Sequence, residues 1–268
     1  DVFQKTVVDN FADEYLQGRT PNPCVRCNSF VKWDAFIDQA DKLGAKYIAT
    51  GHYAKVQHLK GSSVLKKGKD SLKDQAYVLW GIPAHTLSRT LFPLGDLTKE
   101  EVRNIARKNK FETAEIPESM EICFVADNNY KRFLKEYIPE KMSEIGAGEI
   151  VDESGVVVGE HSGYTDYTIG QRKGLGLSTP EPRYVSNIDP SNNQIRIGKK
   201  GNLSKNNCEV SGVNWLVDNM SFPCDVQAQI RYNSPVIDAT ITQKDHEFSV
   251  EFGKPQIAVT PGQSIVFY

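Results

Sequence analysis

The sequence predicts an α/β domain, then a small α/β central domain, then a C-terminal β-barrel, and three observations carry that prediction. Apolar residues at helical spacing over residues 33–43 lead directly into a short apolar strand at residues 47–50. Eight glycines between Gly146 and Gly176 cut the middle of the chain into short β pieces such as EIVDESGVVVGEH. Beyond Leu203 no helical period recurs, and three segments alternate apolar with polar residues.

The first helix is marked by Trp33, Phe36, Ile37, Ala40 and Leu43, with Asn28 or Ser29 as its cap and Gly44 as its stop. Just before it stands GRTPNPCVRCN, in which Pro21 and Pro23 stiffen the approach and present Asn22 and Cys24. This reading puts Cys24 and Cys27 just outside the first turn, where orphan N–H groups and the positive end of the macrodipole make a thiol ionise more readily. The strand at residues 47–50 ends at Gly51-His52, and ligands of such sheets gather at strand C-termini.

A loop rich in Gly, Ser and Lys follows from about Lys60 to Lys73. Thr98 opens a second helix with Glu101 closing a capping box and Val102 stapled to Leu97. A third helix takes Asp127 as cap, carries Tyr130, Phe133, Leu134 and Tyr137 on one face, and ends at Ile138-Pro139. In the last third, Val226/Ala228/Ile230, Ile237/Ala239/Ile241 and Phe248/Val250/Phe252 alternate, separated by Asn233-Ser-Pro235 and Gly253-Lys-Pro255. That pattern fits a small barrel or sandwich.

With 268 residues, 39% of them hydrophobic, there is ample material for more than one core. No apolar run approaches the roughly 20 residues needed to span a bilayer. The start, DVFQKTVVDNF, lacks the basic-then-apolar layout of a secretion signal, so a cytoplasmic location is expected. Five cysteines do not read as a secreted disulfide framework. A net charge of −2 gives no global basic face, although Lys66, Lys67, Lys69 and Lys73 form one local cluster, Arg103, Arg107, Lys108 and Lys110 another, and Arg172 with Lys173 a third. Taken alone, each reads first as solvated surface and only second as a contact for a polyanion.

The CxxC spacing of Cys24 and Cys27 suits zinc, a redox pair or iron–sulfur ligation. A closed zinc site wants four ligands, and no second CxxC or HxxxH is present. Cys123 has Ile122, Phe124 and Val125 around it, as a small buried hydrophobe would, yet it also lies in a loop after Pro117 with Glu118, Ser119 and Glu121 beside it. Three thiols that converge would handle sulfur or hold a cluster with an open coordination position. Gly51 and His52 can admit a base or ribose close to backbone, and Lys73, Asp74 and Gln75 can meet phosphate and ribose.

Taken in order, GRTPNPCVRCN, ATGHYA, KDQAYVLWGIP, LGDLTKEEVRNIA, EICFVAD, YTIGQRKGLG and RYNSP resemble the tRNA-specific 2-thiouridylase family, over about Asp9 to Tyr268. The resemblance implies a partial adenine-nucleotide α-hydrolase-like sheet over residues 1–126, a small central domain over 127–202 and a tRNA-contacting β-barrel over 203–268. It implies an ATP-dependent tRNA sulfurtransferase, using ATP with Mg²⁺, that 2-thiolates the wobble uridine. Cys27 matches the nucleophile and Cys123 the persulfide carrier, and the two form an alternate disulfide after turnover. Asn22, Pro23 and Cys24 match the segment that meets the target base, Gly51 a glycine that touches ATP, and Lys73, Asp74, Gln75, Arg231 and Tyr232 contacts with tRNA. A sulfur-relay protein or a cysteine desulfurase is the implied sulfur donor. The family's Ser-Gly-Gly-x-Asp-Ser loop is expected upstream of Asp1, so this stretch by itself is not expected to adenylate a base.

Many members carry Asp where Cys24 stands, and the Met120-Glu121 pair also departs from the family's pattern. With Cys27 and Cys123, Cys24 would complete the ligands of a [4Fe-4S] cluster, which is the alternative mechanism. A non-catalytic tRNA-binding module with inert cysteines is the alternative from another class.

Overall fold

A computed structural model describes residues 1–116, 122–217, 220–245 and 247–268. The expectations attached to Pro117, Glu118, Ser119, Met120 and Glu121 lie outside the described residues. The chain forms two compact units: Asp1–Val7, Pro23–Cys123 and Gly212–Met220 make the first, and Val8–Asn22, Phe124–Ser211 and Ser221–Tyr268 the second.

In the first unit the helix near the cysteines starts earlier than its apolar period suggests. It runs over residues 23–42, as α-helix Pro23–Arg26, a wide π-helical stretch Cys27–Ala35, and α-helix Phe36–Lys42. Pro23 costs nothing in the first turn, where its missing N–H would have been unpaired anyway. Cys24 and Cys27 are therefore inside the helix start, not outside it. Asn28 and Ser29 are not caps either: the Asn28 side-chain amide donates to the Val78 carbonyl at 2.8 Å, and the Ser29 hydroxyl to the Val25 carbonyl at 2.9 Å. Gly44 does stop the helix, with φ +67° and the Ala45 N–H reaching back to the Ala40 carbonyl at 2.8 Å.

Trp33, Ile37 and Ala40 supply the buried stripe of this helix, joined by Ile48, Ala54, Leu79, Ile82 and Leu87 in one core. Phe36 and Leu43, expected on the same face, are exposed. The widened turn shifts the register between the first and last thirds of the helix, so a single 3.6-residue period cannot describe it. Strand β1 (Ile48–Ala49) runs parallel to a later strand, Thr90–Leu91. Between them, β2 (Ala54–Leu59) and β3 (Ser62–Lys67) form an antiparallel hairpin across the two-residue turn Lys60-Gly61, and Thr90–Leu91 is therefore β4. Helix Lys99–Lys108 has the expected capping box: Thr98 accepts from the Glu101 N–H, and the Glu101 carboxylate accepts from the Thr98 N–H.

The second unit contains helix Asp9–Leu16, helices Tyr130–Tyr137 and Pro139–Ile145, and two sheets. The cap of Tyr130–Tyr137 is Asn129, which accepts from the Arg132 N–H at 3.1 Å. Asp127, expected as that cap, instead pairs with the Arg132 guanidinium at 2.6 Å. The aromatic face is as expected: Phe133 meets Phe11 edge-on, and Tyr130 stacks on Tyr15 with centroids 4.7 Å apart. Strands β5 (Gly148–Val151), β6 (Val157–His161), β7 (Tyr184–Asp189) and β8 (Gln194–Gly198) form a sheet in the order β6-β5-β8-β7, parallel only between β5 and β8. Strands β9 (Ser204–Val210), β10 (Cys224–Gln229), β11 (Ile237–Lys244), β12 (Glu247–Ile257) and β13 (Val266–Phe267) form a sheet in the order β13-β10-β11-β12-β9, antiparallel throughout. Ala239, Ile241, Val250 and Phe252 are buried on one face of it, as the alternation requires.

Candidate functional site

The start of the helix over residues 23–42 places two thiols one turn apart, and the end of the first unit's long segment adds a third. Cys24 and Cys123 are exposed and Cys27 is half-buried, all three as free thiols. Cys24 feels the charge of both Cys123 and Cys27, and Cys27 feels Cys123. Two segments 96 residues apart in sequence (123 − 27) thus bring their sulfurs into one electrostatic neighbourhood.

Cys24 and Cys27 are not activated at rest. Burial of the sulfur is the largest influence on both Cys24 and Cys27 and raises their pKa values above the ordinary thiol range; Cys123 adds to this, and Lys32 opposes it. The helix start, expected to lower these values, is outweighed by desolvation of the thiolate.

Lys32 is the residue that sequence reasoning missed. It is exposed, and its ammonium favours the thiolate at Cys27 and at Cys24 and disfavours a charged His52. In an α-helix, positions i and i+5 do not face each other. The π-helical stretch that begins at Cys27 has more residues per turn, which brings position i+5 round toward the side of position i. No sequence period announces that widening. We expect Lys32→Gln to raise the Cys27 pKa further, so that alkylation of Cys27 by iodoacetamide at pH 8, followed by peptide mass spectrometry, slows several-fold relative to the wild type.

His52, at the end of β1, is buried, and its Nδ1 shares a hydrogen bond with the Thr50 hydroxyl at 2.8 Å. Its ring lies 5.7 Å from that of Trp33 and 6.1 Å from that of Phe92. Burial, reinforced by Lys32, pushes its pKa down to about 4, so it is neutral at physiological pH. Because the folded-state pKa lies below the unfolded value of about 6.5, the linked stability is intact above pH 6.5 and is lost as pH falls towards 4, on the order of 3 kcal/mol in full. Thermal melts of the wild type and His52→Gln between pH 7 and 4.5 check this: the wild type loses more stability on acidification than the variant.

Trp33 anchors the helix from below. It is completely buried and donates its indole N–H to the Thr90 hydroxyl at 2.9 Å, and Thr90 in turn donates to the Thr86 carbonyl at 2.9 Å. Gly51 is exposed beside His52, and an added Cβ there would meet only the Leu94 side chain, at 3.7 Å. Backbone at that position is open to close approach, which fits a nucleotide lying against it.

Asp74 and Gln75 are turned inward. The Asp74 carboxylate accepts from the Gly68 N–H at 2.7 Å and from the Ala76 N–H at 3.4 Å, and the Gln75 side-chain carbonyl accepts from the Tyr53 N–H at 2.9 Å. Arg231 and Tyr232 stand in a turn of the second unit, where the Arg231 guanidinium donates to the Ile257 carbonyl at 2.9 Å. Asn22 belongs to the second unit, and Pro23 and Cys24 to the first. Among the described residues, no three His, Cys, Asp or Glu side chains are placed to hold one metal ion. The three sulfurs are thus not arranged as a ready cradle for a [4Fe-4S] cluster.

Comparison with known proteins agrees with this geometry. Residues 1–127 match the family model described as tRNA methyl transferase HUP domain, residues 131–199 the tRNA methyl transferase PRC-barrel domain, and residues 205–268 the aminomethyltransferase beta-barrel domain. The chain is 46% identical over 268 residues to a protein of Chlorobium phaeobacteroides named tRNA-specific 2-thiouridylase MnmA, covering 99% of this chain and 75% of that one. Proteins of the same name from Carboxydothermus hydrogenoformans and Halothermothrix orenii are 46% and 47% identical, each over 100% of this chain and 74% and 75% of theirs.

Proposed function

The chain belongs to the tRNA-specific 2-thiouridylase family, and from that membership and the three-thiol site we propose that it exchanges the 2-oxygen of the wobble uridine of tRNA for sulfur carried on Cys123 and released by Cys27. It is a tRNA sulfurtransferase with an ATP-using HUP domain, a PRC-barrel-like domain and a C-terminal β-barrel. The family-model descriptions speak of methyl transfer and the relatives' names of thiolation. The relatives' names apply over nearly the whole chain, and neighbouring thiols are groups that sulfur transfer uses.

The observation that supports the cysteine assignment is the mutual charge coupling of Cys24, Cys27 and Cys123. ATP, when bound, supplies the adenylyl group that turns the C2 oxygen into a leaving group, with Mg²⁺ as its companion and Gly51 as an open backbone contact. The terminal sulfur of the Cys123 persulfide forms the bond to C2 as that oxygen departs. The Cys27 thiolate then attacks the Cys123 sulfur and breaks its bond to the transferred atom, which stays on the base as the thiocarbonyl. A Cys27–Cys123 disulfide is left, and an external dithiol must reduce it before the next cycle. Lys32 favours the Cys27 thiolate for this attack. Asn22, Pro23 and Cys24 meet the target base, and Lys73, Arg231 and Tyr232 contact tRNA. A persulfide donor, a sulfur-relay protein or a cysteine desulfurase, loads Cys123 in the cytoplasm; no helix among the described residues is long and apolar enough to cross a membrane.

The test is disulfide mapping by mass spectrometry after a single turnover of the full-length protein, quenched in acid without reductant. A Cys27–Cys123 crosslink in one-to-one ratio with 2-thiouridine is expected. The iron–sulfur alternative predicts instead no crosslink, stoichiometric iron and sulfide after anaerobic purification, and loss of transfer in Cys24→Ser.

A further inference from the structure

Residues 54–67, AKVQHLKGSSVLKK, contain four lysines and no carboxylate, in a chain whose net charge is −2. The hairpin register sets Lys55 directly opposite Lys66 across the β2–β3 ladder. Like charges facing each other in this way destabilise a strand pair. Only Lys55 of the two has a counter-ion, Asp96 at 2.6 Å. Among the described residues Lys66, and Lys60 at the tip, have no carboxylate partner. The face cannot turn away from solvent, because Ala54, Val56 and Leu65 hold the opposite side of the hairpin on the core around Trp33. A rigid strand pair that accumulates uncompensated cations is suited to a polyanion.

The root of the hairpin explains what the Lys73-Asp74-Gln75 turn does. Tyr53 immediately precedes β2, and Gly68 immediately follows β3. Asp74 holds the Gly68 N–H, and Gln75 exchanges two hydrogen bonds with Tyr53, side-chain carbonyl from its N–H and backbone N–H to its carbonyl, both at 2.9 Å. The two roots run so close that a Cβ on Gly68 would stand 2.8 Å from the Tyr53 carbonyl oxygen. One carboxylate oxygen of Asp74 and the side-chain carbonyl of Gln75 are thus engaged in holding the hairpin root.

We propose that the lysine face of the β2–β3 hairpin, with Lys60 and Lys66 at its centre and Lys55 across the ladder from Lys66, grips tRNA phosphodiesters, and that Asp74 and Gln75 are positioning residues that hold the hairpin root. The proposal rests on the tRNA-thiolating reading above and assigns to it a contact surface. Phosphate contacts of this kind orient the nucleic acid and carry no sequence information.

The experiment measures binding of an unmodified tRNA transcript to the full-length protein, by fluorescence anisotropy over a series of salt concentrations. K55Q/K60Q/K66Q is expected to weaken binding about ten-fold or more near physiological salt and to flatten the slope of log K against log salt by about 2 to 3, the change for two or three lost phosphate contacts. A charge-matched control, K42Q/K46Q/K135Q, keeps the wild-type affinity and slope, and K66E alone shifts affinity in the same direction as the triple variant. Asp74→Ala weakens binding, while Asp74→Asn, which keeps an acceptor for the Gly68 N–H, restores it. Wild-type affinity and slope in the triple lysine variant overturn the hairpin proposal and leave the thiolation reading standing. Failure of the wild type to bind tRNA overturns both.

Discussion

Cys123→Ser in the full-length protein abolishes 2-thiouridine formation, with a fall on the order of 10³-fold or more, the scale on which loss of a nucleophile acts. Cys27→Ser does the same, but for a different reason and with a different residue of chemistry. Without Cys123 there is no carrier, so incubation with a sulfur donor labels nothing at the site. Without Cys27 the carrier still loads, and sulfur accumulates on Cys123 as a persulfide that a cyanide assay or intact-mass measurement detects as one extra sulfur atom. Cys24→Ser keeps single-turnover transfer within about an order of magnitude, because the relay needs two thiols and Cys24 is the third. A labelled persulfide in Cys123→Ser, or unchanged turnover in Cys27→Ser, contradicts the division of labour. Lys32 enters the same scheme as a modulator: its charge favours the attacking thiolate, against a burial effect that works the other way.

Trp33→Ala is expected to have the largest effect on stability, about 3–5 kcal/mol. The side chain is completely buried in the core beneath the cysteine helix, and its removal also strands the hydrogen bond to Thr90. A drop in melting temperature on the order of 10 °C follows for a unit of this size. Leu43→Ala on the same helix is the contrast, since Leu43 is 74% exposed and its loss should change stability by no more than about 0.5 kcal/mol. The two substitutions separate the structure from the sequence pattern, which places both residues on one apolar face. Differential scanning calorimetry of the two variants decides, and equal losses contradict the packing described.

How much was legible in the chain can be argued from particular elements. The capping box of Thr98 and Glu101 was legible because it is closed by residues three apart, whatever surrounds them. The strands of the last sheet were legible because alternation over five residues requires no knowledge of what the strand packs against. The cap of Tyr130–Tyr137 was misplaced by two residues because Asp127 and Asn129 are both competent acceptors, and Arg132 selects between them by its ion pair with Asp127. The structural part played by the Lys73-Asp74-Gln75 turn was not legible, because the sequence cannot say that two backbone N–H groups, at Tyr53 and Gly68, need acceptors there.

By itself the sequence determined the class of fold, the identity of the three chemically competent thiols and the family to which they belong, since spacing, turn chemistry and ordered motifs are properties of neighbours along the chain. Only the tertiary structure decided which charge bears on Cys27, in which direction its thiol is shifted, and which hairpin lysines among the described residues are left without a counter-charge. Those are properties of neighbours in space. A widened helical turn, the desolvation of a sulfur and the register of a hairpin each depend on atoms far away in sequence, and no local pattern encodes them.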